Sequence, residues 1–395
     1  MRKVYFITLT MYQLYVTDSY LRYIQDNYED VDGYVISVGL DISKYKNKNQ
    51  FKIIDIPNLN CSFITRIWQR IFWGGILFSF SPLRNLFKKD KSVCFVFNDN
   101  EPISNKIVRE AKKKNNRVVI IEEGIGIYSY TGNTRLTMHQ KLRKIITAAL
   151  GSPMQYKAIG DNPNIDYAIV SNVELYKKFD KAKKQIVLYQ DKEVLFKHSG
   201  DFLEQFSDDT DRIGSVDYVY LGQPFDEYGR MLEDEKNCII ELFELIPNGK
   251  VVLIKPHPRE SSDKYDVIEK RFKNVRVLRN TMAGLPVECL VGSLCPSTMI
   301  SFNSSAGVNL ANIFSDINCV FLFNSLVYKP IYKYWNKTSA VYPEDIFKSK
   351  NHNICLPKTD QELREALNRK NETINIRKNN METKFIEIDR VLGDK

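Results

Sequence analysis

Histidine is scarce in this chain of 395 residues: there are four, at positions 139, 198, 257 and 352. The seven cysteines, at 61, 94, 238, 289, 295, 319 and 355, form no CxxC pair and are odd in number. That count lacks metal-ligand spacing and fits reduced, buried thiols in a cytoplasmic protein rather than a disulfide scaffold. No GxGxxG follows the first strand-like run and no GxxxxGK[ST] occurs anywhere, so the usual dinucleotide and P-loop phosphate cradles are missing. Gly124-Ile125-Gly126 is too short a match to count. The two formal DxD matches, Asp30-Val31-Asp32 and Asp209-Thr210-Asp211, precede strands instead of following them, which weakens a transferase that chelates a diphosphate through a metal.

Long uninterrupted apolar runs are missing as well. The best candidate, Ile64 to Phe87, is broken by Arg70, Gly74-Gly75 and Pro82, so a membrane-spanning helix is not expected there. Its aromatic residues, flanked by Arg66, Arg84, Lys88 and Lys89, fit a buried or dimer-forming helix, or one lying peripherally on an anionic inner-membrane surface. At the amino end, Met1-Arg2-Lys3 and the apolar run after it lack a small-residue cleavage site and read as the first buried strand.

What is present is an ordinary globular composition, 43% hydrophobic and 27% charged, in a chain long enough for two domains. The net charge of +9 is dispersed over amphipathic segments and reads mainly as solvated surface, with no nucleic-acid stripe. Strands are expected at Val4–Thr10, Gly33–Val38, Phe51–Ile56, Val93–Phe97, Arg117–Ile121, Asp166–Val170 and Gln185–Tyr189. Helical patterns lie between them at Tyr12–Gln25, Ile64–Phe80, Ile103–Lys114 and Leu136–Leu150. After the polar stretch Asp191–Asp211 the alternation resumes, with strands at Val216–Leu221, Val251–Lys255, Val275–Leu278, Cys289–Val291 and Asn318–Phe323. Helices there are expected at Asp234–Leu245, Lys264–Phe272 and Ser297–Ile313, and the charged tail from Asn368 also reads as helical. The fold class is therefore α/β: two Rossmann-like, doubly wound domains, 1–195 and 196–395, facing a central cleft.

Two motifs stand just past apolar runs, where open α/β sheets bind ligands. Glu122-Glu123-Gly124 follows Arg117–Ile121, and Lys255-Pro256-His257-Pro258 follows Val251–Ile254. The paired prolines stiffen the turn that presents His257, which there suits donation to a phosphate oxygen or is simply a histidine of a surface turn. The acid pair offers a base, or merely favourable charge at a helix start. Ser297 and Thr298, after Cys295-Pro296, are expected to open a long helix whose N–H groups would hold an anion or simply be capped. Asn303-Ser304-Ser305-Ala306-Gly307 ranks below them because it would lie inside that helix.

Together, Glu-Glu-Gly, Lys-Pro-His-Pro and the later Ser-Thr resemble the D/E-D/E-G, HP and S/T motifs of bacterial sialyltransferases. The arrangement is most similar to glycosyltransferase family 52, the lipooligosaccharide and capsule sialyltransferases, with bacterial polysialyltransferases as near relatives. Leu221-Gly222-Gln223-Pro224 and Leu285-Pro286-Val287-Glu288 also look like that family's recurrent segments. The resemblance implies a GT-B arrangement and CMP-sialic acid as donor. It further implies inverting transfer to a sugar hydroxyl, usually galactose, of a surface glycan, with no cofactor and no metal. On that pattern Glu123 is the base with Glu122 supporting, and His257 serves the CMP phosphate. Ser297 and Thr298 hold the phosphate, while Gly222, Gln223 and Pro224, flanked by Lys255 and Pro258, cradle the nucleotide, and Glu288 binds the ribose. In some family members the base follows the Gly-Gln-Pro segment, where Asp226, Asp234 and Glu235 stand here. Two other readings stay open: a GT-B glycosyl- or glycerophosphotransferase using another donor, and a non-catalytic carbohydrate- or membrane-binding protein.

Overall fold

The computed structural model describes residues 2–47, 51–56, 83, 86–87, 92–128, 145, 158–209, 214–226, 228–261, 263–335, 344–347, 353–369 and 388–392. The expected helices at Ile64–Phe80 and Leu136–Leu150, with the dimer and membrane roles placed on the first, lie outside the described residues apart from Ile145. Contacts divide the chain into two units. The first is Met1–Leu195 with Ala340–Pro343 and Glu382–Lys395; the second is Phe196–Ser339 with Glu344–Met381. The chain's end thus belongs with the first unit, where the Arg117 guanidinium donates to the Val391 carbonyl of the helix Ile388–Leu392 at 2.5 Å.

In the first unit a seven-stranded sheet runs β3-β2-β1-β4-β5-β6-β7. Its strands are β1 Arg2–Thr8, β2 Val31–Val38, β3 Lys52–Ile56, β4 Ser92–Val96, β5 Arg117–Ile121, β6 Tyr167–Val170 and β7 Ile186–Tyr189. Every pairing is parallel. Val and Ile fill both faces of the central strands, as burial on two sides requires: Val93, Phe95, Val118, Val119, Ile120 and Ile121 have almost no exposed surface. The helix Met11–Asn27 is capped by Thr10, whose hydroxyl accepts from the Gln13 N–H.

The second unit repeats the plan with a six-stranded parallel sheet, β10-β9-β8-β11-β12-β13. Here β8 is Tyr218–Leu221, β9 Val252–Lys255, β10 Val275–Val277, β11 Thr298–Ser301, β12 Asn318–Phe321 and β13 Ile354–Cys355. In each unit the chain builds outward to one side of its first strand and then returns to the other side, the Rossmann strand order. The chain therefore has two Rossmann-like units.

Two expectations fail in the second unit. Cys289–Val291 is not a strand but part of a buried helix, Val287–Leu294, led by Pro286 and closed by Cys295 at a left-handed φ of 44°. A short run that is apolar all round carries no period to separate buried helix from buried strand. The strand is instead Thr298–Ser301, and the helix expected from Ser297 begins only at Ser305. No disulfide occurs among the described cysteines; Cys94, Cys238, Cys289 and Cys319 are buried, whereas Cys295 is exposed. Among the described residues no helix is long and apolar enough to cross a membrane.

Candidate active site

The acid pair of the first unit sits at the carboxyl end of β5, and its two members have different surroundings. Glu122 is 3% exposed. Its carboxylate accepts from the Tyr128 hydroxyl at 2.5 Å, from the Ser171 N–H at 2.6 Å and from the Ser171 hydroxyl at 2.8 Å. Lys192 closes the set as an ion pair at 3.2 Å. With this many donors Glu122 is a structural anchor for the loops after β5 and β6. Glu123 is half-buried and accepts from Thr10 Oγ1 at 3.1 Å. Burial raises its pKa above the usual carboxylate range, opposed by hydrogen bonds from Gln13 and Thr10. Both partners belong to the first turn of the helix that follows β1, so Glu123 also faces a helix amino terminus.

In the second unit the sheet register sets the site. Leu221 pairs with Lys255 and with Ser301, so β8, β9 and β11 end abreast. Three loops leave that edge together: Gly222-Gln223-Pro224, Pro256-His257-Pro258 and Phe302-Asn303-Ser304. The strand order reverses between β8 and β11, where doubly wound sheets open a ligand crevice. Gly222 has a specific duty, because a Cβ there would collide with the Glu260 carboxylate and the Tyr265 hydroxyl. Gly229, at φ +71°, lies against the backbone of Arg259 and Glu260 in the same way.

His257 is held at three points. Its backbone N–H donates to Glu260 Oε2 at 2.7 Å, its Nδ1 accepts from the Arg259 N–H at 3.1 Å, and its neighbours in sequence are prolines. Burial, then the charges of Arg259, Lys255 and Lys264, lower its pKa to about 4. The ring is therefore neutral near pH 7, and because Nδ1 is an acceptor the proton resides on Nε2. Lys255, buried, donates to the Ala283 carbonyl at 3.0 Å, and burial lowers its pKa to about 8 against the pull of Glu288 and Glu260. Glu288, in the first turn of Val287–Leu294, accepts from Asn309 Nδ2 at 3.1 Å.

Ser297 and Thr298 are not with this group. The Ser297 hydroxyl donates to the Asp217 carbonyl at 2.9 Å, and the N–H groups of Ser297 and Thr298 bond to the same oxygen. Thr298 opens β11 beside Tyr218, on the amino edge of the sheet. Three residues of strand, about 10 Å, separate it from the loops above. The helix amino terminus that does stand at the carboxyl edge is Ser304-Ser305, with Ser304 as cap accepting from the Ala306 N–H at 3.3 Å. Reading a single helix back to Ser297 hid this segment inside it.

The alternative carboxylates are each engaged. Asp226 Oδ2 accepts from the N–H groups of Tyr228 and Arg230 and pairs with the Arg230 side chain at 3.3 Å. Burial alone would raise its pKa, but these bonds outweigh it and bring the pKa below the usual value. Asp234, half-buried in the first turn of Glu233–Glu244, accepts from the Tyr334 hydroxyl at 3.2 Å. Glu235 is fully buried and paired with Lys264 at 2.6 Å. The four-residue gap between Glu260 and Lys264 gave no sign in the sequence that both serve the His257 turn.

The family model for Alpha-2,8-polysialyltransferase (POLYST) matches residues 35–322. The chain belongs to that family, and it is a glycosyltransferase of the sialyltransferase class. No curated protein matches it significantly. Among solved structures, UDP-GlcNAc 2-epimerase from Methanocaldococcus jannaschii, in complex with UDP-GlcNAc and UDP, is similar in fold. It has 12% identity and a TM-score of 0.52 over 93% of each chain. The GT-B domain of a sialyltransferase from Photobacterium damselae aligns at 12% identity and a TM-score of 0.48, over 90% of this chain and 99% of that one. A 2,6-sialyltransferase from Photobacterium sp. JT-ISH-224, in a ternary complex with CMP and lactose, aligns at 9% identity and 0.46, over 89% and 78%.

Proposed function

We propose that this sialyltransferase moves a sialyl residue from CMP-sialic acid to a sugar hydroxyl, with inversion and without a divalent cation. The observation that carries the reading is the shared carboxyl edge of β8, β9 and β11, which gathers a glycine loop, an Nε2–H histidine and a capped helix start. A nucleoside monophosphate leaves with one phosphate, which such hydrogen-bond donors stabilise as charge develops. Gly222, Gln223 and Pro224 form the loop under the nucleotide, Ser304 and Ser305 receive the phosphate, and Glu288 serves the ribose. As the bond from the anomeric carbon to the phosphate oxygen breaks, His257 Nε2–H donates to that oxygen. Phosphate binding itself raises the histidine's proton affinity, so a ring that is neutral when empty can protonate the leaving group. Glu123 is the base: its raised pKa and half-exposed position suit removal of the acceptor proton, whereas Glu122 is saturated with donors.

The family's description points to a sialic-acid acceptor and an α-2,8 linkage, and the resemblance read from the motifs points to galactose. Work on a surface glycan at the cytoplasmic side of the membrane fits either. One incubation tests the reading: CMP-sialic acid with galactosides and with sialylated oligosaccharides, followed by mass spectrometry, with CDP-glycerol and common nucleotide sugars as control donors. CMP release with a new sialylated product is expected. No CMP release with any acceptor, or turnover of a control donor alone, overturns it.

A further inference from the structure

The second unit buries a charged cluster that none of the motifs contains. Lys264 and Glu235 have side chains with no exposed surface, and Lys264 Nζ lies 2.6 Å from Glu235 and 2.6 Å from Glu260. The same ammonium donates to the Gln223 carbonyl at 2.9 Å. Glu260 in turn accepts from the His257 N–H at 2.7 Å and from the Tyr265 hydroxyl at 3.1 Å. One lysine facing two carboxylates is a poor device for stability alone, since buried ion clusters repay their desolvation only partly. Its geometry has another use: it ties the loop after β8 to the turn after β9, and Gly222 is what lets the loop come down onto the carboxylate.

We infer that Glu260 is a positioning residue for His257, with Lys264 coupling the same carboxylate to the donor loop at Gln223. This rests on the CMP-sialic acid reading of the site. Every group that touches Glu260 in this network is a donor, so an amide in its place must turn its NH2 against either the His257 N–H or Lys264. Releasing His257 from that anchor leaves the imidazole attached to the sheet but badly aimed, and small errors of aim are costly in turnover.

The test compares two isosteric variants that make the same chemical change on opposite sides of Lys264. Glu260→Gln and Glu235→Gln each leave one lysine facing one carboxylate, so no lone buried charge arises, and both are expected to melt within a few degrees of the parent. Glu260→Gln is expected to lose roughly 10- to 100-fold in kcat with KM for CMP-sialic acid changed less than about threefold. Glu235→Gln is expected to lose no more than about threefold in kcat. In a His257→Ala background Glu260→Gln is expected to cost nothing further, because its effect runs through the histidine. Equal losses for the two variants, or additive losses with His257→Ala, overturn the inference alone. A parent enzyme that releases no CMP overturns the reading of the site and the inference with it. Should Glu260→Gln melt below the assay temperature, Tyr265→Phe removes one donor from the same carboxylate. It carries the same comparison, with an expected loss of about three- to tenfold in kcat and again none in the His257→Ala background.

Discussion

Glu122 and Glu123 show how far apart two adjacent carboxylates can be in chemistry. One accepts from Tyr128, Ser171 and Lys192, and the other from the start of a helix. Glu123→Gln is expected to lower kcat by about 10² to 10⁴ with little change in melting. Glu122→Gln, which leaves Lys192 facing an amide inside the protein, is expected to lower the melting temperature first. Near-normal turnover of Glu123→Gln beside a collapse in Asp234→Asn or Asp226→Asn would move the base to the second unit.

Two groups of the second unit, the buried Glu235 and the half-buried His257, give opposite pH slopes. The folded pKa of Glu235 is raised from 4.5 to about 7 by burial, so its contribution to stability is complete below pH 4.5 and is lost as pH rises through 7. The folded pKa of His257 is lowered from 6.5 to about 4, so stability falls as pH drops through that interval. Melting curves between pH 4 and 8 check both: Glu235→Gln should remove the loss on the rising side, and His257→Gln the loss on the falling side. Neither group announces this in sequence. A buried Glu or Lys is the same letter as a surface one, which is why the Glu235–Lys264–Glu260 cluster was illegible while the proline-bracketed His257 was not.

At the scale of the element, the strands rich in Val and Ile were legible, because parallel strands covered on both faces must be apolar throughout. Arg117–Ile121 and Val252–Lys255 carry the two motifs where the sequence put them. Thr298–Ser301 escaped because Thr-Met-Ile-Ser is short, and the apolar run before it, Cys289-Leu290-Val291, took the strand's place in the alternation. The displacement changes a prediction. Ser297→Ala and Thr298→Val, at the far edge of the sheet, are expected to leave CMP affinity within about twofold of the parent. Ser304→Ala removes a helix cap, at about 1 kcal/mol of stability. In calorimetric titration with CMP, Ser304→Ala combined with Ser305→Ala should weaken binding by roughly tenfold, the effect of about one lost hydrogen bond to a charged oxygen. Weakening by Ser297→Ala instead would return the phosphate to its first address.

For the whole molecule, the alternation of strand and helix on both sides of the polar stretch Asp191–Asp211 was enough to read two doubly wound units. The crossing of the chain's end to the first unit was not readable. The Arg117 guanidinium meets the Val391 carbonyl there, and Ile388, Val391 and Leu392 are buried, contacts so distant in sequence that no local pattern encodes them. Because each unit has its own sheet and core, thermal unfolding should show two transitions, and CMP should raise only one of them. Deleting Glu382–Lys395 should lower the other and leave CMP affinity intact. A single transition shifted as one body by both changes would argue against independent units.

The two sheets also share their wiring, and the loop after the first strand occupies the same address in each. In the second unit that address holds Gly222 and is bare of side chain, so that the loop can pack down onto the Glu260 carboxylate and the Tyr265 hydroxyl. In the first unit it holds Thr10, which caps the next helix with one face of its hydroxyl and touches Glu123 with the other. One connection in a repeated plan is thus left without a side chain in one copy, where a neighbouring turn packs against it, and in the other carries a hydroxyl that opposes the rise in the pKa of Glu123. Exchanging these two residues' roles, by Thr10→Gly and Gly222→Thr, should therefore damage different quantities: the first the acidity of Glu123, the second the binding of the nucleotide.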